Sequence, residues 1–138
     1  MRLVKWTLGG QEYYMAYTME AMISLEETDG SVGDMIARIA ENSREGIDTL
    51  CRCVEILTRE GGMVRRAAGY KESDIPEEKH FRPFITPKVR AALAEAVTRA
   101  VSIGLMTEEE SEEETDVVLL QLQKKTEIKV EAGRKPTA

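Results

Sequence analysis

The sequence predicts an α+β fold that is mostly helical, with an N-terminal β-hairpin packed on a bundle of about four or five helices and a flexible acidic C-terminal tail. Three observations predict it. A Gly9-Gly10 pair separates two short segments of strand-like alternation, three long apolar stripes at helical spacing each follow a capping residue, and the composition changes abruptly after Leu105. The 42% hydrophobic and 5% aromatic content requires a core of Leu, Ile, Val, Met and Ala, which suits packed helices better than a sandwich. These features divide the 138 residues into a hairpin-plus-helix domain, 1–104, and an acidic tail, 105–138.

In the hairpin, Gly9-Gly10 supplies the positive φ angles of a two-residue turn between residues 2–8 and 11–16. That turn pairs Leu8 with Gln11, Trp6 with Tyr13 and Val4 with Met15, so Val4, Trp6, Tyr13 and Met15 share one face that must rest on helices. Thr18 caps a short helix running to about Glu27, which Asp29-Gly30 ends. Ser31 caps a second, with Val32, Met35, Ile36, Ile39 and Ala40 on its apolar stripe.

Ser43 caps a third helix carrying Ile47, Leu50, Cys51, Val54 and Leu57, and Gly61-Gly62 reads as its stop. A short helical piece over Met63 to Ala68 ends at Gly69. Tyr70 to Ile85 then mixes charge, two prolines and both phenylalanines as a loop would, with Phe81 and Phe84 as its anchors. Thr86-Pro87 opens the last helix, whose stripe of Val89, Ala92, Leu93, Ala96, Val97, Ala100 and Val101 is rich enough in alanine to place it centrally in the bundle.

The tail has seven acids among Glu108–Asp116, followed by Val117, Val118, Leu119, Leu120, Gln121 and Leu122. Consecutive apolar residues after a solvated acidic run need a partner: either their own domain, or another protein that takes them by strand addition or in a groove. Val117, Val118, Leu119, Leu120 and Leu122 are therefore the candidate partner-binding residues.

Charge and motifs narrow the function. The net charge is −6, of which residues 1–104 carry −2 and the tail −4, and this balance disfavours a phosphate backbone as ligand. The exception is a possible arginine patch of Arg52, Arg59, Arg65 and Arg66, the alternative reading being a small nucleic-acid-binding regulator. No stretch approaches the roughly 20 apolar residues of a membrane span, and no long apolar segment opens the chain, so a cytoplasmic location is expected.

Cys51 and Cys53 lie two apart in a helical pattern and cannot bridge without breaking it; with His80 they fall short of a four-ligand zinc site. No glycine precedes a lysine, which excludes a phosphate-binding loop. Asp29-Gly30-Ser31-Val32-Gly33-Asp34 lacks a calcium loop's sixth-position glycine and has Ala40 at the twelfth. His80 has no Ser or Cys nucleophile motif to serve. No residue is assigned a catalytic or metal-binding role, and no cofactor is expected.

The opening Val4-Lys5-Trp6-Thr7-Leu8-Gly9-Gly10-Gln11-Glu12-Tyr13-Tyr14, the helix start Tyr17-Thr18-Met19-Glu20-Ala21-Met22, and the acidic tail with Gln123-Lys124-Lys125-Thr126 together resemble tail assembly chaperones of siphovirus-like prophages. The resemblance implies a non-enzymatic assembly factor in a bacterial host. Such a protein coats the tape measure protein, keeps it soluble and helps recruit tail tube subunits. It also implies a family in which a longer form arises by ribosomal frameshifting.

Overall fold

The computed structural model describes residues 2–71 and 74–106. Strands β1 (Val4–Leu8) and β2 (Gln11–Met15) form an antiparallel hairpin in the register the turn dictates: Val4 opposite Met15, Trp6 opposite Tyr13 and Leu8 opposite Gln11. Gly9 and Gly10 have φ of 57° and 79°, the left-handed conformation that a two-residue turn needs at both positions. Five α-helices follow among the described residues: α1 (Met19–Asp29), α2 (Val32–Ile39), α3 (Arg44–Ala67), α4 (Glu78–Phe81) and α5 (Pro87–Gly104).

Local chemistry sets the starts of four of them. The Thr18, Ser31, Ser43 and Thr86 hydroxyls accept from the backbone N–H groups of Ala21, Asp34, Gly46 and Val89, satisfying an orphan donor each time. Removal of such a cap costs about 1 kcal/mol.

Helix α3 is the centre of the structure, a place the alanine-rich stripe had suggested for α5. It packs against β2, α1, α2, α4 and α5, and buries Leu50, Cys51, Cys53, Val54 and Leu57 completely. A helix enclosed from several sides can bury residues two apart, which explains why both cysteines are inside. Helix α5 lies against α3 and β1 and buries Leu93, Val97, Ala100, Val101 and Ile103, while Val89 and Ala92 of its predicted stripe are exposed.

Gly61-Gly62 does not stop α3, which runs through both residues to Ala67; the positive-φ glycine beyond its end is Gly69. The pair is there for contact. A Cβ on Gly61 would lie 1.9 Å from the Tyr14 carbonyl oxygen, so only glycine lets β2 cross the helix backbone at that point. The same crossing is pinned by the Ala16 N–H donating to the Leu57 carbonyl at 3.0 Å.

Tyr70 to Ile85 is also more structured than its composition suggests. Helix α4 and a 3-10 turn over Arg82–Phe84 occupy its second half, tied to α3 by Arg82, which donates to both Asp48 and Glu78 at 2.6 Å. Phe81 anchors the segment as expected, fully buried with its ring 5.9 Å from Trp6 in an edge-on arrangement. Phe84 does not; it is 62% exposed.

Trp6 joins the hairpin to the helices. Its indole N–H donates to the buried Thr58 hydroxyl of α3 at 2.9 Å, and its ring also stacks obliquely on Tyr13. The burial of one polar tip is thereby matched by another.

Candidate functional site

The seam between α1 and α3 is tied at both ends by side-chain hydrogen bonds. Thr18, at the start of α1, donates its hydroxyl proton to Glu60 at 2.7 Å, and Asp29, at its end, accepts from Arg52. Since 60 follows 52 along α3, the two helices run antiparallel. Their inner residues, Ala21 and Leu25 on α1 with Cys53 and Leu57 on α3, are buried.

Beside this packed seam stand large apolar side chains that the core does not use. Met19 is 66% exposed, Ile23 44% and Met63 49%. Met19 and Ile23, four residues apart, share a face of α1. Met63 follows Glu60 by almost one turn of α3, so it belongs to the same end of the seam as Met19, which adjoins Thr18. Methionine is long, unbranched and polarizable, and surfaces that present it adapt to differently shaped apolar partners.

The sequence itself carries a sign of this surface. Ala21 and Leu25 already supply α1 with its buried stripe, so Met19 and Ile23 are apolar residues in excess of what that stripe needs. The predicted partner-binding residues Val117, Val118, Leu119, Leu120 and Leu122 lie outside the described residues. Most of the apolar stripe of α5 is committed to the core.

The four arginines of the alternative reading are largely engaged elsewhere. Arg52 forks onto Asp29, with Nε to Oδ2 at 3.1 Å and Nη2 to Oδ1. Arg59 lies 3.9 Å from Glu55. The Arg65 guanidinium is sandwiched near the rings of Tyr14 and Tyr70, at 4.0 and 4.4 Å from their centroids. Arg66 is exposed on the last turn of α3.

Asp29, the first residue of the faint calcium pattern, is instead a buried ion-pair partner. His80 is exposed on α4. Among the described residues no group of three His, Cys, Asp or Glu side chains is placed to hold a metal ion, and no helix is long and apolar enough to cross a membrane.

Burial pushes the Cys51 thiol up to about 11 and the Cys53 thiol up to about 12. Each folded-state value lies above that of an unfolded thiol, so the neutral form is the one folding favours. Stability from this source is complete below about pH 8.5 and is lost as the pH rises from there toward the folded values, at up to about 1.4 kcal/mol per pH unit per thiol. We expect the urea midpoint to fall between neutral and strongly alkaline pH, and Cys51→Ala with Cys53→Ala to flatten that decline. Thiol labelling of the native protein at neutral pH should be slow and should accelerate in urea; rapid labelling without denaturant would contradict the burial of both sulfurs.

No protein-family model matches the chain, and no curated protein or solved structure matches it either.

Proposed function

We propose that the protein is a phage tail assembly chaperone, which binds the tape measure protein without catalysis, keeps it soluble and helps recruit tail tube subunits. The observation that carries this reading is the exposure of Met19 and Ile23 on one face of α1, with Met63 exposed toward the end of α3. A tape measure protein is a long helical client with repeated apolar faces. A chaperone for it needs a surface that tolerates variation in the side chains it covers, and two methionines beside an isoleucine meet that need.

The acidic balance of the chain supports the same reading, since a net charge of −6 keeps an otherwise sticky complex dispersed. The resemblance in Val4 to Tyr14 and Tyr17 to Met22 supports it as well; those residues build the hairpin and the start of α1, which carries Met19.

The test is co-expression of the full chain with a tape measure protein. The native chain should hold the client in the soluble fraction. Met19→Gln, Ile23→Gln and Met63→Gln together should lower the soluble client by on the order of tenfold, the equivalent of about 1.4 kcal/mol of binding. All three side chains are exposed, so circular dichroism of the variant should match the parent. Equal client solubility with both proteins would remove this surface from the mechanism, and insolubility with both would remove the chaperone reading itself.

A further inference from the structure

Where α3 and α5 begin, an open cleft of about 520 Å³ lies between the two helix starts. Ile47, Ile85 and Pro87 give it an aliphatic lining, and Arg44 and Arg90 a cationic one. Arg90 donates through Nη1 to the Ile39 carbonyl at 3.1 Å, while its Nε is buried with no hydrogen-bond partner among the described residues. Buried donors are paired in nearly every case, so this guanidinium is short of an acceptor. Arg44 is exposed and makes no ion pair among the described residues.

The acids nearby do not fill that need. The first turn of α5 contains none and carries Lys88, an arrangement opposite to the one a helix start favours. On the α3 side Glu41 and Glu45 are both exposed, Glu41 accepting from the Ser43 hydroxyl at 3.4 Å. The apolar surface also continues past the cleft. Phe84, next to Ile85, is exposed, and so is Val89, three residues after the cleft-lining Thr86 and therefore on its side of α5.

We propose that the cleft docks a short segment of another protein in which carboxylates flank branched aliphatic residues. The aliphatic side chains rest on Ile47, Ile85 and Pro87, the flanking carboxylates accept from Arg44 and Arg90, and the segment runs on over Phe84 and Val89. Charge and apolar extent together select this occupant. An inorganic anion would leave Ile47 and Ile85 unused, a small aliphatic acid would leave Phe84 and Val89 uncovered, and a polynucleotide would meet a chain of net charge −6. Met63 lies about 29 Å from Arg44 along α3, so the cleft is a second surface and the inference does not depend on the chaperone reading.

The test measures the fluorescence anisotropy of a labelled, amidated peptide, Glu-Glu-Leu-Ile-Glu-Glu, against the full chain. Binding should saturate and should weaken as salt rises. Arg44→Glu should weaken it by on the order of tenfold or more. Loss of fold cannot account for that result, because an acid in the first turn of α3 is favourable to the helix. Arg66→Glu makes the same change in net charge on the last turn of α3 and should leave binding within about twofold. The peptides Gln-Gln-Leu-Ile-Gln-Gln and Glu-Glu-Ser-Ser-Glu-Glu should each bind about tenfold more weakly, or worse, since each lacks one half of the recognised chemistry.

Absence of saturable binding overturns the proposal. Equal losses in Arg44→Glu and Arg66→Glu overturn it too, since the peptide would then be reading net charge rather than the cleft. Equal affinity for the serine-containing peptide, or displacement of the probe by an equimolar oligothymidylate, would mean that the arginines hold any polyanion and that the aliphatic lining selects nothing.

Discussion

Gly61→Ala is expected to destabilise the protein by about 3–5 kcal/mol or prevent its folding, while Gly62→Ala one residue later should change stability by no more than about 1 kcal/mol in either direction. The difference comes from what each new methyl group would meet. At Gly61 it would lie 1.9 Å from the Tyr14 oxygen, 2.4 Å from the Tyr14 carbonyl carbon and 2.9 Å from the Met15 nitrogen, all backbone atoms. Backbone cannot swing aside, so β2 must lift off α3. The bond from the Ala16 N–H to the Leu57 carbonyl would be strained with it, and the indole of Trp6 would be drawn from Thr58. At Gly62 the nearest atom is Cδ1 of Ile75 at 2.9 Å, the end of a side chain that can change rotamer. There the cost of moving Ile75 is offset by replacing glycine with the best helix former, worth about 1 kcal/mol in a helix interior. Urea unfolding of both variants decides the matter, and equal midpoints would mean that β2 does not cross the helix as closely as described.

The same pair shows where sequence reasoning stopped. The hairpin was legible down to its register because a two-residue glycine turn fixes which residues face one another, and Val4, Trp6 and Met15 then define the buried side. Thr18, Ser31, Ser43 and Thr86 were legible as caps because capping is a three-residue affair. Gly61-Gly62 was misread because a glycine pair that ends a helix and one that admits a crossing strand look alike locally; the deciding atoms belong to Tyr14, far away in sequence. Phe81 and Phe84 were indistinguishable for the same reason, since only the placement of Trp6 selects one of them for the core. Met19 and Ile23 could have been found, as apolar residues on a face of α1 that Ala21 and Leu25 leave unused.

Arg52→Ala should cost roughly 3 kcal/mol, and the loss should come from Asp29 rather than from the arginine's own contacts. Asp29 ends α1, where the helix dipole is negative and no basic residue of α1 compensates it. Its side chain is only 1% exposed. Burial alone would raise its pKa, yet the hydrogen bonds from Arg52 and Thr28, with the charges of Arg52 and Arg38, outweigh burial and hold it below the ordinary carboxylate value. Without Arg52 the buried carboxylate keeps, among the described residues, Thr28 at 2.8 Å and Arg38 at 3.5 Å. Arg52→Lys should recover part of the loss, because an ammonium restores the charge but cannot make the two-pronged contact.

Acid titration gives an independent check. A carboxyl whose folded pKa lies below its unfolded value stabilises the fold fully above about pH 5, and that contribution disappears as the pH falls through about 4 toward the folded value. Urea midpoints of the parent protein should therefore decline on acidification more steeply than those of Asp29→Asn, which is less stable at neutral pH but has no charge to lose at that position. Parallel declines would show that the ion pair joining α1 to α3 contributes no net stability, and that burial of the apolar seam at Ala21, Leu25, Cys53 and Leu57 holds the two helices together by itself.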